Sequence, residues 1–76
     1  MKQTMLFALV PNNKFYFVAD KKKTVIKVIN ILNGIALQWG KGMPEKIYVL
    51  QAESGEIVEY SKNKPVVKLE YGDRVV

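Results

Sequence analysis

The sequence predicts an α+β fold, an antiparallel sheet of about five strands with one long helix packed on one face, in the order ββαβββ. Three observations predict it. Short runs rich in β-branched and aromatic residues are bounded by Pro, Asn and Gly, as strands and their turns are. Between the second and third of these runs, Val25, Val28, Ile29, Leu32, Ile35, Ala36 and Trp39 cluster on one side when each residue is turned by about 100°. The chain has 76 residues, enough for a single small domain over 1–76 and no more.

The first element is the apolar run "TMLFALV", which reads as a strand buried on both faces. "PNN" turns the chain, with Pro suited to the second turn position and Asn tolerant of left-handed backbone. "KFYFVA" is the second strand, and the two are expected to pair as a hairpin. The helix is expected over residues 21–39. Its apolar arc spans roughly 240°, more than one sheet face needs. Its polar stripe (Lys23, Lys27, Asn30, Gly34, Gln38 and, just beyond, Lys41) holds no acid. A competing reading stops the helix at Asn33-Gly34 and leaves Ile35, Leu37 and Trp39 to alternate as a short strand. "WGKGMPE" is a loop. Strands over 47–52 and 56–60 flank the turn "ESG". "PVVKLEY" is the last strand, and "GDRVV" is a turn and tail.

Catalysis is not expected. The chain has no Cys and no His, so the usual nucleophile–base pairs and soft metal ligands are missing, and no disulfide can form. Ser61 beside Lys62 sits in a turn with no supporting motif. Glu53, Glu56 and Glu59 read as the wet face of a sheet, and "GKG" lacks the spacing of a phosphate loop. No cofactor and no metal site is expected, so the chain reads as a non-enzyme.

The charge is uneven. Of the net +5, residues 1–44 carry +6, from seven lysines and Asp20, and residues 45–76 carry −1. Lys21, Lys22 and Lys23 stand together where the helix is expected to begin, with Asp20 as its N-cap. Free amides, helix dipole and ammonium groups would then converge on an anion. The candidate anion or nucleic-acid site is therefore Lys21, Lys22, Lys23, Lys27 and Lys41, with Tyr16 as a stacking ring among Phe15 and Phe17. The expected partner is nucleic acid or an acidic protein surface.

The other reading is a protein-interaction or inhibitor domain that forms a homo-oligomer, of the size and charge found among small phage or mobile-element accessory proteins. Ile31, Leu37 and Trp39 would form its interface, and an open sheet edge at 65–71 or 14–19 would offer strand pairing. The apolar run over 5–10 is too short for a secretory leader, and no run approaches a membrane span. Cytoplasmic residence is expected, since a reducing compartment suits a chain without cysteine.

Overall fold

The computed structural model describes residues 2–38 and 40–73, and for 36–38 it describes the backbone. The expected α+β fold is overturned. Among the described residues there are six strands, one 3-10 turn and no α-helix. The strands are β1 (Lys2–Met5), β2 (Lys14–Phe17), β3 (Ile26–Gln38), β4 (Lys41–Ala52), β5 (Ile57–Tyr60) and β6 (Pro65–Leu69). They form one antiparallel sheet in the order β1-β6-β2-β3-β4-β5.

The expected helix is a loop followed by the 13-residue strand β3. Val25, Ile26, Val28, Ile29, Ile31 and Ile35 are all β-branched, which favours extended backbone over helix. Val28 is fully buried opposite Leu50. The register then shifts between Val28 and Asn30, so that Ile31 takes the inward place opposite Tyr48. One extra residue at this bulge moves the apolar set from a spacing of two to a spacing of three. That phase jump imitates helical periodicity.

Three further expectations are corrected. Over residues 41–45 the expected loop "WGKGMPE" is strand, the outer part of β4, because it pairs with residues 34–38 of β3. The run "TMLFALV" is not one strand, because Leu6–Ala8 fold into a 3-10 turn after β1. The Leu6 N–H donates to the Lys64 carbonyl and the Leu9 N–H to the Leu6 carbonyl, which drives Leu6 and Leu9 into the core. And β1 does not pair with β2, because β6 lies between them, antiparallel to both. Strands β1 and β2 therefore run parallel, which a tight hairpin cannot produce. The suggested open edges at 65–71 and 14–19 are interior strands of the sheet.

The sheet curls. Strands β2 and β5 are three places apart, about 14 Å along a flat sheet, yet the rings of Phe17 and Tyr60 are 5.3 Å apart. The concave side closes over Leu6, Leu9, Phe15, Val28, Tyr48, Leu50 and Val66. Phe7 stacks on Tyr48 at 5.2 Å, and the Tyr48 hydroxyl donates to the Leu9 carbonyl at 2.9 Å. The described chain extends 45 Å along its long axis and 23 Å and 20 Å across. Its length comes from the β3–β4 hairpin. Strand β5 covers only Tyr48–Gln51 of β4, and β2 pairs only with Ile26 and Lys27 of β3. Beyond them, β3 and β4 continue as a two-stranded ribbon with Leu32, Ile35 and Met43 exposed.

Candidate nucleic-acid interface

The lysine cluster sits in the loop between β2 and β3, and Asp20 organises it. One Asp20 carboxylate oxygen accepts the Lys22 N–H at 3.0 Å and the other accepts the Thr24 N–H at 2.9 Å. The Lys23 N–H donates to the Asp20 carbonyl. These backbone bonds hold the Asp20 carboxyl below its ordinary value. Asp20 thus fills the N-cap role on a turn rather than a helix. The expected anion niche, made of a helix dipole and free amides, is absent, because two of those amides are committed to Asp20.

Lys21 and Lys22 are exposed. Lys23 takes left-handed backbone, with φ of 52°. Its ammonium lies 6.0 Å from the centre of the Tyr16 ring, at the reach of a cation–π contact. Tyr16 is half-buried, two residues along β2 from Lys14 and so on the same face. Lys27 joins that face from β3, directly opposite Lys14. Lys14, Tyr16, Lys23 and Lys27 are therefore brought together on the convex side of the sheet.

Lys41 is not. It stands at the far end of the ribbon, opposite Gln38, about 35 Å of strand from Lys27. The interface residues also separate. Ile31 is half-buried and packs on the core. Leu37 occupies a ribbon position opposite Gly42, and Trp39 lies outside the described residues.

Lys14 matters to the site and did not stand out in the sequence. Lys68 lies near it at the end of the sheet but on the concave face, since it is opposite the buried Phe15. Lys14 belongs to the cross-strand pair. Lys68 is opposite Lys2 on one side and Phe15 on the other. Both line an open hollow of about 850 Å³ at one end of the sheet, together with Glu53, Glu70, Tyr71 and Asp73. A smaller hollow beside it joins Lys14 and Lys27 to Gln51 and Glu53. The basic face is thus bordered by carboxylates on that side. Only the strand register reveals these pairings, and register is not written in any local motif.

Among the described residues no cluster of three or more acidic side chains is placed to hold a metal ion, and no helix is long and apolar enough to cross a membrane. Compared with known proteins, the chain matches no family model, no curated protein and no solved structure.

Proposed function

We propose that the chain is a small non-enzymatic binding module whose convex β2–β3 face contacts a nucleic-acid backbone. The observation that carries this reading is the direct opposition of Lys14 and Lys27. Like charges opposite one another destabilise a sheet, and a phosphate chain laid across them removes that repulsion. Tyr16 on the same face, with Lys23 beside it, offers a stacking ring to an unpaired base. Lysines give point-charge contacts rather than base-reading forks, so the binding is backbone-directed and indifferent to sequence. The proposal includes a reducing compartment, the cytoplasm, which the lack of cysteine supports.

The test is titration with mixed-sequence single-stranded DNA and RNA at about 50 mM and about 200 mM salt. Three phosphate contacts would weaken binding about 20-fold between these conditions, and Lys14→Gln with Lys27→Gln would flatten the salt slope by about 1.4. Lys41→Gln, at the ribbon tip, would leave both unchanged. Absence of binding at the lower salt, or binding that the Lys14 and Lys27 changes leave intact, would remove the proposal. An acidic protein partner would then be the remaining use of the face.

A further inference from the structure

We infer that the free edge of β3 over residues 30–38 is the site at which a second copy of this chain docks, strand against strand. The inference rests on the sheet edges and does not depend on the nucleic-acid reading.

Pro44 stands opposite Ile35. Proline has no N–H, so this is a pair without mutual hydrogen bonds. Ile35 therefore turns its N–H and carbonyl away from β4, and by the alternation of the ladder so do Asn33 and Leu37. Ile31 shares this phase, and its N–H is taken by the Asn30 carboxamide at 2.8 Å. On that side β2 stops at Lys27. An edge about 30 Å long is left without a described strand partner.

Folded proteins blunt such edges with charge, proline or shortness. Among the described residues the outer edges of β1, β5 and β4 are blunted. Strand β1 is four residues long and carries Lys2, and β5 is four residues long and carries Glu59. The outer half of β4 carries Lys41, Pro44, Glu45 and Lys46. Residues 28–40 hold no charged residue and no proline. In a chain of net charge +5, this edge can meet itself without setting lysine against lysine. A two-fold axis demands such self-complementarity, and antiparallel pairing of β3 with its copy supplies it.

The axis falls at Ile35, the two Ile35 residues forming a hydrogen-bonded pair, with Asn33 of each copy opposite Leu37 of the other. Ile35 is 74% exposed in the single chain, and the axis covers it. The strip is about 30 Å long and about 10 Å deep, or about 300 Å² in projection on each copy. That places the dimer at the weak, reversible end of specific interfaces.

Sedimentation from about 10 µM to about 1 mM spans the affinities such an interface supports. The expected result is a shift from 8.7 kDa toward twice that mass as concentration rises. Ile35→Lys places two ammonium groups on the axis and should hold the chain at 8.7 kDa, with an unchanged aromatic circular-dichroism spectrum because the position is exposed. Ile35→Cys should give a disulfide-linked dimer on mild oxidation, since paired Cα atoms about 5.5 Å apart suit that bond. The chain has no native cysteine to confuse the result. Met43→Cys, on the other strand of the ribbon, should not crosslink. A wild-type chain that stays at 8.7 kDa at the highest concentration overturns the inference and leaves the edge to a foreign strand. A dimer that survives Ile35→Lys overturns it equally.

Discussion

Lys14 and Lys27 are paired across β2 and β3, Cα opposite Cα, with both side chains on the convex face of the sheet. Two like charges so placed cost about 0.2–1 kcal/mol, more at low salt. Lys27→Glu converts repulsion to attraction. It should raise the urea midpoint of unfolding at low salt, and the gain should shrink as salt is added. The same change should weaken nucleic-acid binding. A variant that loses stability at low salt would show that the pair is not close enough to interact.

Tyr16 separates stacking from charge. If an unpaired base lies on this ring, Tyr16→Ala should lower affinity for single strands by about 1–3 kcal/mol and Tyr16→Phe should restore it, since the ring alone stacks. Affinity for duplex should change little, because its bases are already stacked. Equal losses on single strand and duplex would mean that Tyr16 only supports Lys23, whose ammonium it faces at 6.0 Å.

Asp20 gives a pH-dependent signal. Its carboxyl is held below the ordinary value by the N–H groups of Thr24 and Lys22. A lowered folded value means that the stabilisation is complete above the ordinary carboxylate range and is lost as pH falls through the folded value. The amide resonances of Lys22 and Thr24 should therefore shift together at a pH below 3.8, the ordinary Asp value. Asp20→Ala should abolish both shifts. Amides that titrate at the ordinary value would mean that the loop is not held by Asp20 in solution.

Part of the strand content outside residues 21–39 was legible in the sequence. Leu6–Ala8 leave the expected first strand, however, and residues 41–45 of β4 stand where a loop was expected. "KFYF", the β5 hairpin and the start of β6 at Pro65 lie where their aromatic, turn and proline signals put them. Even the turn at Asn12 was legible, and its φ of 78° is the left-handed backbone that Asn tolerates. The misreading of β3 has a specific cause. Inward places at Ile26, Val28 and Ile31 skip a residue at the bulge, so no alternation runs across it, and the competing reading found only the short alternation that begins at Ile35. The roughly 240° apolar arc carried the information in another form. An arc too wide for one helical face is what a strand apolar on both faces produces when drawn on a wheel. Asn33-Gly34, a stop signal for a helix, lies inside β3 at ordinary strand backbone.

The candidate site was half legible. Lys23 and Tyr16 are near in sequence and near in space. Lys14 and Lys27 are separated by a loop, and only pairing brings them together. The opposite error affected Lys41, which a helix would have carried round to the same stripe. On strands it is carried to the far end of the ribbon.

Tyr48 ties the 3-10 turn to the core through its hydroxyl, which donates to the Leu9 carbonyl at 2.9 Å. Tyr48→Phe keeps the stacked ring and leaves that carbonyl unpaired, at a cost of about 1–3 kcal/mol. Burial also raises the Tyr48 hydroxyl above its ordinary value of 10.0. The folded state then keeps its proton while the unfolded chain gives one up. Stability from this group is complete below 10.0 and falls as pH rises through the folded value. The difference in unfolding free energy between wild type and Tyr48→Phe should therefore narrow above that pH. A constant difference would show that the hydroxyl is not buried in solution.

The last prediction concerns Gly34 and Ile47, neighbours across the ribbon. Gly34 does not need its freedom for a turn, since its φ is not positive. It sits in the interior of β3 opposite Glu45, where Gly is about 0.5–1 kcal/mol less favourable than Ala on backbone grounds. What excludes Ala is a side chain. A Cβ at position 34 would lie 2.8 Å from Ile47 Cδ1 and 3.6 Å from Ile47 Cγ1. The first distance is an overlap and the second is ordinary contact. Valine lacks the Cδ1 atom, so Ile47→Val removes the overlap and keeps the rest of the contact. Gly34→Ala should therefore fail to stabilise the wild-type chain, because Ile47 must leave its place. In the Ile47→Val background it should raise stability by about 0.5–1 kcal/mol. A double-mutant cycle by urea unfolding measures the difference as a coupling of that size. Zero coupling would mean that Ile47 turns away from Gly34 without cost, and that the ribbon beyond Tyr48 is packed more loosely than its register implies.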